Sequence, residues 1–266
     1  MTQRNYECKR ILTGYTSLYY SLLNRNWYAS ACVSIILTLS ACHPTIKESP
    51  ILLFNGKGSS VNDVHAIESI LSSNRFDYTL INSVQLDEID TVQLMKYKLL
   101  IIPGGNFIDM GKNLKVETTQ KVSRAVYCGL NYFGICAGAF LAGNTKINSF
   151  NITHDVQFKF YSAEDNGIRK AALPIKNADG SIIDQYWEDG PALNGWGDVV
   201  SKYPDSTAAT VQGRYGIGGI VLTGLHPEAP LSWRKDFTFL TTIEKSHEYA
   251  GNLIKAALEN KKLAHF

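Results

Sequence analysis

The sequence predicts an α/β domain built on a doubly wound, mostly parallel sheet with helices on both faces. Three observations lead there. Short apolar runs recur (Ile51 to Phe54, Asp77 to Ile81, Leu99 to Ile102, Ile220 to Thr223), and over the first half they alternate with segments of helical periodicity. Each chemistry-bearing motif stands directly after such a run: Pro103-Gly104-Gly105, then Cys136, then His226. In a parallel sheet the carboxyl ends of the strands share one edge, and ligands bind along it. Finally, 266 residues with 45% apolar content suffice to bury a sizeable core, and no repeat or linker divides the chain beyond its N-terminal region.

The N-terminal region reads differently. Residues 1–26 are polar, with scattered Tyr, Arg and Asn, and do not read as a folded domain. Residues 27–41 are apolar and uncharged behind Arg25; their length suits a signal-peptide core better than a membrane span of roughly 20 residues. An uncleaved anchor helix is the alternative. The segment ends in Leu39-Ser40-Ala41-Cys42, which resembles a bacterial lipobox. That resemblance implies a signal peptide over 1–42, acylation of Cys42 as the mature N-terminus, and a lipid-anchored protein of the bacterial cell envelope. His43 rather than aspartate follows the cysteine, so the outer membrane, on its periplasmic side, is the expected destination. The stretch before the apolar core is long for a signal peptide, which leaves a start near Leu22 or Leu23 open. Residues 43–50, with Pro44 and Pro50, form a tether.

The folded part is then 51–266. Removing residues 1–41 leaves 22 basic against 23 acidic residues, and no basic patch or interleaved aromatic stripe points to nucleic acid. Only Cys128 and Cys136 remain, too few for a disulfide scaffold or a zinc site, and no metal or other cofactor is expected. Were Cys128 close to Cys136, a disulfide between them would silence the thiol; the blander reading packs Cys128 at a helix end.

In chain order, Ile51 to Phe54 reads as a buried strand, 55–60 as a turn-rich loop, and Val61 to Leu71 as a helix with Val64, Ile67, Ile70 and Leu71 on one face. Strands follow at 77–81 and 99–102, with a short helix or loop over 86–95 between them. The loop 55–60 lacks the Gly-Lys-Ser/Thr ending of a phosphate-binding loop and is read as a wall of the cleft. A helix over 115–128 leads into the strand that ends at Cys136. Beyond 144 the pattern is less regular: β-like runs at 156–161 and 208–212, turns at 178–180 and 189–191, a hairpin at 213–219, a final strand at 220–223, and helical stretches within 236–258.

The central stretch is Gly134-Ile135-Cys136-Ala137-Gly138. Gly-x-nucleophile-x-Gly at a strand-to-helix turn holds the side chain in a strained conformation at the sheet edge, while the new helix offers amide hydrogens and its positive end to a thiolate. The paired glycines at Gly104-Gly105 let backbone N–H groups turn into the cleft, where two of them stabilise a negative oxygen. Gly224-Leu225-His226-Pro227-Glu228 supplies a histidine able to pair with the thiolate and a carboxylate able to orient the ring.

Together these blocks, with Asn55-Gly56-Lys57-Gly58-Ser59-Ser60 and Gly190-Pro191, resemble the class I glutamine amidotransferase-like superfamily, and within it the amidotransferase-like domain at the N-terminus of biotin–protein ligases. The resemblance spans about residues 51–232. It implies a flavodoxin-like three-layer sandwich with Cys136 as nucleophile, His226 as base and acid, and Glu228 as orienting carboxylate. Gly104, Gly105 and Ala137 stand at the oxyanion site, and Ser59, Ser60, Asn106 and Gly190 face the substrate, with specificity expected from loops 55–60, 106–115 and 185–197. The implied chemistry is hydrolysis of a small amide, γ-glutamyl or peptide substrate through a thioester. Leu130-Asn131 departs from the glycine-rich approach to the nucleophile strand, and no synthetase domain is attached to receive ammonia. A catalytically silent binding lipoprotein that keeps the cleft is the competing reading; no protein partner is assigned.

Overall fold

The computed structural model describes Cys8 and residues 49–266. The apolar segment 27–41, Cys42 and tether residues 43–48 lie outside the described residues. Ser49–Phe266 form a unit of their own. Its first half runs β1 (Ile51–Phe54), α1 (Val61–Ser73), β2 (Tyr78–Ile81), α2 (Ser83–Glu88), α3 (Thr91–Leu94), β3 (Leu99–Ile102), α4 (Phe107–Lys112), α5 (Val116–Tyr127), β4 (Asn131–Ile135) and α6 (Ala137–Ala142). The second half runs β5 (Lys159–Phe160), β6 (Lys170–Asn177), β7 (Ile182–Glu188), β8 (Pro191–Ala192), β9 (Asp198–Lys202), β10 (Ala208–Tyr215), β11 (Gly218–Thr223), α7 (Leu231–Arg234) and α8 (Ile243–Glu259). Among the described residues no helix is long and apolar enough to cross a membrane.

Nine strands form one sheet in the order β2-β1-β3-β4-β11-β10-β9-β6-β7. The first five pair in parallel. The remaining four extend the sheet with antiparallel pairings. The parallel strands are continuous apolar runs because both of their faces are covered. Leu52, Phe54, Leu100, Ile102 and Tyr132 pack with Val122 and Val126 of α5 and Phe140 of α6. The alternate residues Ile51, Leu53, Leu99, Ile101, Phe133 and Ile135 pack with Val64, Ile67 and Ile70 of α1 and Leu253 and Ile254 of α8. Each such side chain, fully buried, contributes about 2 kcal/mol of transfer free energy.

The hairpin expected at 213–219 is β10–β11, closed by pairing of Tyr215 with Gly218. The turn at 178–180 closes a second hairpin, β6–β7. Strands β6, β7 and β9 were not expected from the sequence. Most of β6 is at least partly exposed and it carries Pro174, while the buried positions of β7 include Asp184 and Gln185, so neither shows clean apolar alternation. The run expected over 156–161 shrinks to the two residues of β5.

The antiparallel extension curls back on the sheet. Although β7 is its outermost strand, the His226 N–H just beyond β11 donates to the Tyr186 carbonyl at 2.9 Å. The far edge of the extension thereby reaches the carboxyl edge of the parallel strands.

Candidate active site at the strand edge

Cys136 holds φ 47° and ψ −101° between β4 and α6. Positive φ is uncommon for a residue with a Cβ, and it persists only where the surroundings enforce it. Here the Cys136 N–H donates to the Thr223 carbonyl of β11 at 2.8 Å, and the buried Tyr132 hydroxyl donates to the Gly138 carbonyl at 2.7 Å. The two glycines of the motif are required by close approach. A Cβ on Gly138 would lie 2.1 Å from the Ile102 carbonyl oxygen, and one on Gly134 would lie 2.7 Å from the Gly138 carbonyl group. The helix can start beside the strand only if both positions lack side chains. Cys136 is a free, buried thiol that donates to the Glu188 carbonyl of β7 at 3.5 Å. Cys128 is not its partner: it is itself disulfide-bonded and stands at the C-terminal cap of α5.

Beyond β11, His226 is buried against two carboxylates. Its Nδ1 lies 3.0 Å from Glu228 Oε1, with hydrogen-bond geometry, and 3.1 Å from Asp63 Oδ1. Asp63 comes from the first turn of α1, which is capped by the Ser60 side chain accepting from the Asp63 N–H at 3.3 Å. Gly104 is the floor of this contact, since a Cβ there would sit 2.1 Å from Asp63 Oδ1 and 2.7 Å from His226 Cε1.

Burial opposes the charge on His226, but the charges of Cys136 and Glu228, with contacts to Asp63 and Cys136, outweigh it and hold the ring well above its ordinary 6.5. Burial also pushes Asp63 up, yet its contact with His226 and the Ser60 bond overcome this and leave it below its ordinary value. Glu228 is raised, because desolvation of a fully enclosed carboxyl and the neighbouring Asp63 charge exceed the pull of His226. These three residues each offer a ligand atom within 4.8 Å of one another and could hold a metal ion. An imidazolium between two carboxylates satisfies the same geometry.

The raised His226 value has a stability consequence. A group whose folded value exceeds its unfolded one stabilises the fold fully below the unfolded value, about 6.5, and loses that contribution as pH rises through the folded value. The stability difference between wild type and His226→Gln, measured by urea denaturation, is therefore expected to shrink from pH 6 towards alkaline pH. A difference that grows with pH would contradict the charged ring.

A cavity of about 720 Å³ opens over these residues. Cys136, His226 and Asp63 reach it from the floor, and Gly105 and Ala137 from the two sides of the elbow. As the first residue of α6, Ala137 has an N–H without a partner inside the helix. Gly105, at φ 140°, pairs with Ser59 as an isolated bridge, and the bonds of that bridge are carried by the neighbouring Ser60 and Asn106 N–H groups. Both amides remain able to face a ligand.

One wall is aromatic, with Phe107 stacked on Phe140 at 4.5 Å between centroids and Phe160 at 4.9 Å from Phe140. The opposite wall carries Tyr186, Trp233 and Phe237. At the mouth, Lys170 pairs with Glu188 at 2.9 Å, and Arg169 with Asp189 and Glu164 at 2.7 Å each.

Of the residues expected to face a substrate, Ser60 and Asn106 line the cavity, each also capping a helix. Ser59 and Gly190 do not line it. Ser59 bonds back to the Gly56 carbonyl, and a Cβ on Gly190 would meet the Gly224 carbonyl at 1.8 Å, so both belong to the packing beneath the site. Gly104 likewise provides room rather than a cavity-facing amide.

Sequence reasoning missed Asp63, although a signal was present. Asp63 falls in register with Ile67 and Ile70 on the buried face of α1, where an acidic residue requires a partner. It also missed Phe160, Arg169, Lys170 and the segment from Ser232 to Phe237, which only the curl of the extension and the chain after β11 bring to the cavity.

Comparison with known proteins finds a family model that matches part of the chain. Residues 49–168 match the family model described as Biotin-protein ligase, N terminal. The match includes the loop 55–60, the glycine pair and the cysteine elbow, and stops before His226. The chain is similar in fold to SMU.1228c, with TM-score 0.51, 11% identity, and coverage of 79% of this chain and 98% of that one. It also aligns with PurLQS from Thermotoga maritima, with TM-score 0.48, 16% identity, and coverage of 78% and 99%. A comparison with curated proteins finds no match.

Proposed function

We propose, for a chain that carries the biotin–protein ligase N-terminal domain family over residues 49–168, a Cys-His-Glu amide hydrolase of the glutamine amidotransferase-like type on a three-layered, flavodoxin-like frame. The observation that carries the reading is the strained, free Cys136 sharing one cavity with the buried His226, whose ring is hydrogen-bonded to Glu228. Cys136 attacks the amide carbonyl carbon as the thiolate, its proton carried by His226. The carbonyl oxygen takes up the negative charge beside the N–H groups of Gly105 and Ala137. His226 protonates the departing amine as the C–N bond breaks, leaving a thioester on Cys136. His226 then takes a proton from water, the water oxygen attacks the thioester, and the thiol is released with a carboxylic acid. The net reaction is amide plus water to acid plus amine, and substrates are small amides, γ-glutamyl compounds or peptides.

A second reading is favoured by one contact. The Cys136 thiol donates to the Glu188 carbonyl of β7, which ties it to a neighbouring strand. A ligand-binding domain with a silent cleft would keep that bond. Incubation of the mature protein with glutamine, γ-glutamyl and cell-wall peptide amides, read as amine release, separates the two. Turnover with rapid, stoichiometric alkylation of Cys136 supports the hydrolase; saturable ligand binding without amine release and with an unreactive Cys136 supports the binding domain.

The proposal places the protein on the cell envelope through lipid on Cys42. Labelling of growing bacteria with an alkynyl palmitate analogue is expected to mark the wild type and not Cys42→Ser; equal labelling would remove the anchor from the proposal.

A further inference from the structure

The cavity over Cys136 is larger than a single amino acid needs. Its volume of about 720 Å³ falls in the range of roughly 300–1,000 Å³ that encloses a drug-sized ligand. Its walls carry two aromatic clusters. In the first, Phe107, Phe140 and Phe160 pack together, and Phe160 keeps 38% of its surface exposed. Ile108, next to Phe107 in the chain, also lines the cavity and is 42% exposed. Large apolar side chains left open in a cleft mark where an apolar part of a ligand is covered. In the second cluster Tyr186 meets Trp233 and Phe237, with ring centroids 5.7 and 6.0 Å apart. The segment that carries Trp233 and Phe237 is tied down. Asp184 of β7 accepts from the Leu240 and Thr241 N–H groups, and the buried Arg234 donates to the Thr241 carbonyl and the Ser246 hydroxyl. This wall is therefore formed before a substrate arrives, which spares the cost of ordering it.

The charges argue against a free amino acid as substrate. Besides His226, the charged side chains lining the cavity are Arg169 and Lys170 against Asp63, Glu188, Asp189 and Asp236. Both cations are already matched, Lys170 by Glu188 and Arg169 by Asp189 and Glu164. A substrate carboxylate would have to displace one of these acidic partners or go without a counter-charge. Neutral hydrogen-bonding groups are available instead. The Asn62 and Ser232 side chains make no hydrogen bond among the described residues, and Asn106 caps its helix through its oxygen alone.

We propose that the substrate is a peptide amide whose side chain beside the scissile bond is aromatic. Its ring packs on the aromatic walls, its peptide groups are met by Asn62, Asn106 and Ser232, and free glutamine is excluded. The inference rests on the reading of this cleft as an amide hydrolase and narrows its substrates. Phe160 and Phe237 are then specificity residues. Burying a phenyl side chain that was open to water is worth a factor of roughly ten to a hundred in affinity.

The test is isothermal titration calorimetry on the Cys136→Ala protein, which holds a substrate without turning it over. The probes are N-acetylphenylalaninamide, N-acetylalaninamide and glutamine. In the first two the side chain stands beside two amides, so either orientation offers one to position 136. N-acetylphenylalaninamide is expected to bind about tenfold tighter than N-acetylalaninamide or better, with glutamine weaker than both. Adding Phe160→Ala or Phe237→Ala is expected to cut that preference by about threefold or more and to leave N-acetylalaninamide unchanged, a pattern that a general loss of structure would not give. Phe160 is exposed, so its replacement spares the core. Equal affinity for the two amides, glutamine binding tighter than either, no measurable binding of N-acetylphenylalaninamide, or a preference unmoved in both phenylalanine variants overturns the proposal. No turnover is read, so the hydrolase reading fails separately. A preference for the aromatic amide without amine release from wild type would count against the hydrolase and leave the aromatic site standing.

Discussion

Replacing Cys136 by alanine is expected to reduce amine release by about a thousandfold or more, to the level left by binding and the oxyanion donors alone. The effect is large because the sulfur is the atom that bonds to substrate. Of the cavity's other nucleophilic atoms, the Ser60 side chain is committed to capping α1. The substitution should leave the fold intact. Removing one sulfur from a small side chain at the sheet edge takes away a single bond to the Glu188 carbonyl, and alanine tolerates the elbow's backbone no worse than cysteine does. Thermal melting of the two proteins should therefore agree within a few degrees while their turnover differs. Comparable amine release from both would show that the cleft acts without its thiol, and would end the hydrolase reading.

Gly138→Ala is expected to act through the fold. Its Cβ would stand 2.1 Å from the Ile102 carbonyl oxygen, which is backbone of the central strand β3 and cannot swing aside as a side-chain end would. Either α6 lifts off β3 or the sheet bends, and overpacking of this kind costs about 3 kcal/mol. Lifting α6 also breaks the Tyr132 bond to the Gly138 carbonyl and lets Cys136 relax from φ 47°. Urea denaturation should show the lost stability, and iodoacetamide should show altered reactivity of Cys136. A variant as stable as wild type would mean that the elbow has slack that these distances do not show.

Much of the parallel half was legible in the sequence. Ile51 to Phe54 and Leu99 to Ile102 are buried on both faces, so they announce themselves as unbroken apolar runs. The elbow was legible because a helix that starts so close to the strands beside it admits only glycine at 134 and 138, and both fall within five consecutive residues around Cys136. The antiparallel extension was not. Strands exposed on one face, or lined with buried polar residues such as Asp184 and Gln185, lack the contrast that marks a strand. Asp63 was in view on the helix face, but its partner lies 163 positions further along the chain, and a spacing of that size has no pattern to read.

What the sequence determined by itself was the local chemistry: a cysteine at a strand-to-helix turn, a glycine pair after β3, and a histidine with a carboxylate two residues on after β11. These are properties of short segments, set by sterics and by the carboxyl ends of neighbouring strands. Only the tertiary structure decided how those segments meet. The curl of the extension brings the Glu188 carbonyl to the Cys136 thiol and Tyr186 to His226. The packing of α1 on the sheet brings Asp63 to the ring and makes a pair of carboxylates where the sequence showed one. The physical reason is that a buried charge takes its state from everything within a few ångströms, and those neighbours come from chain segments that only folding brings together.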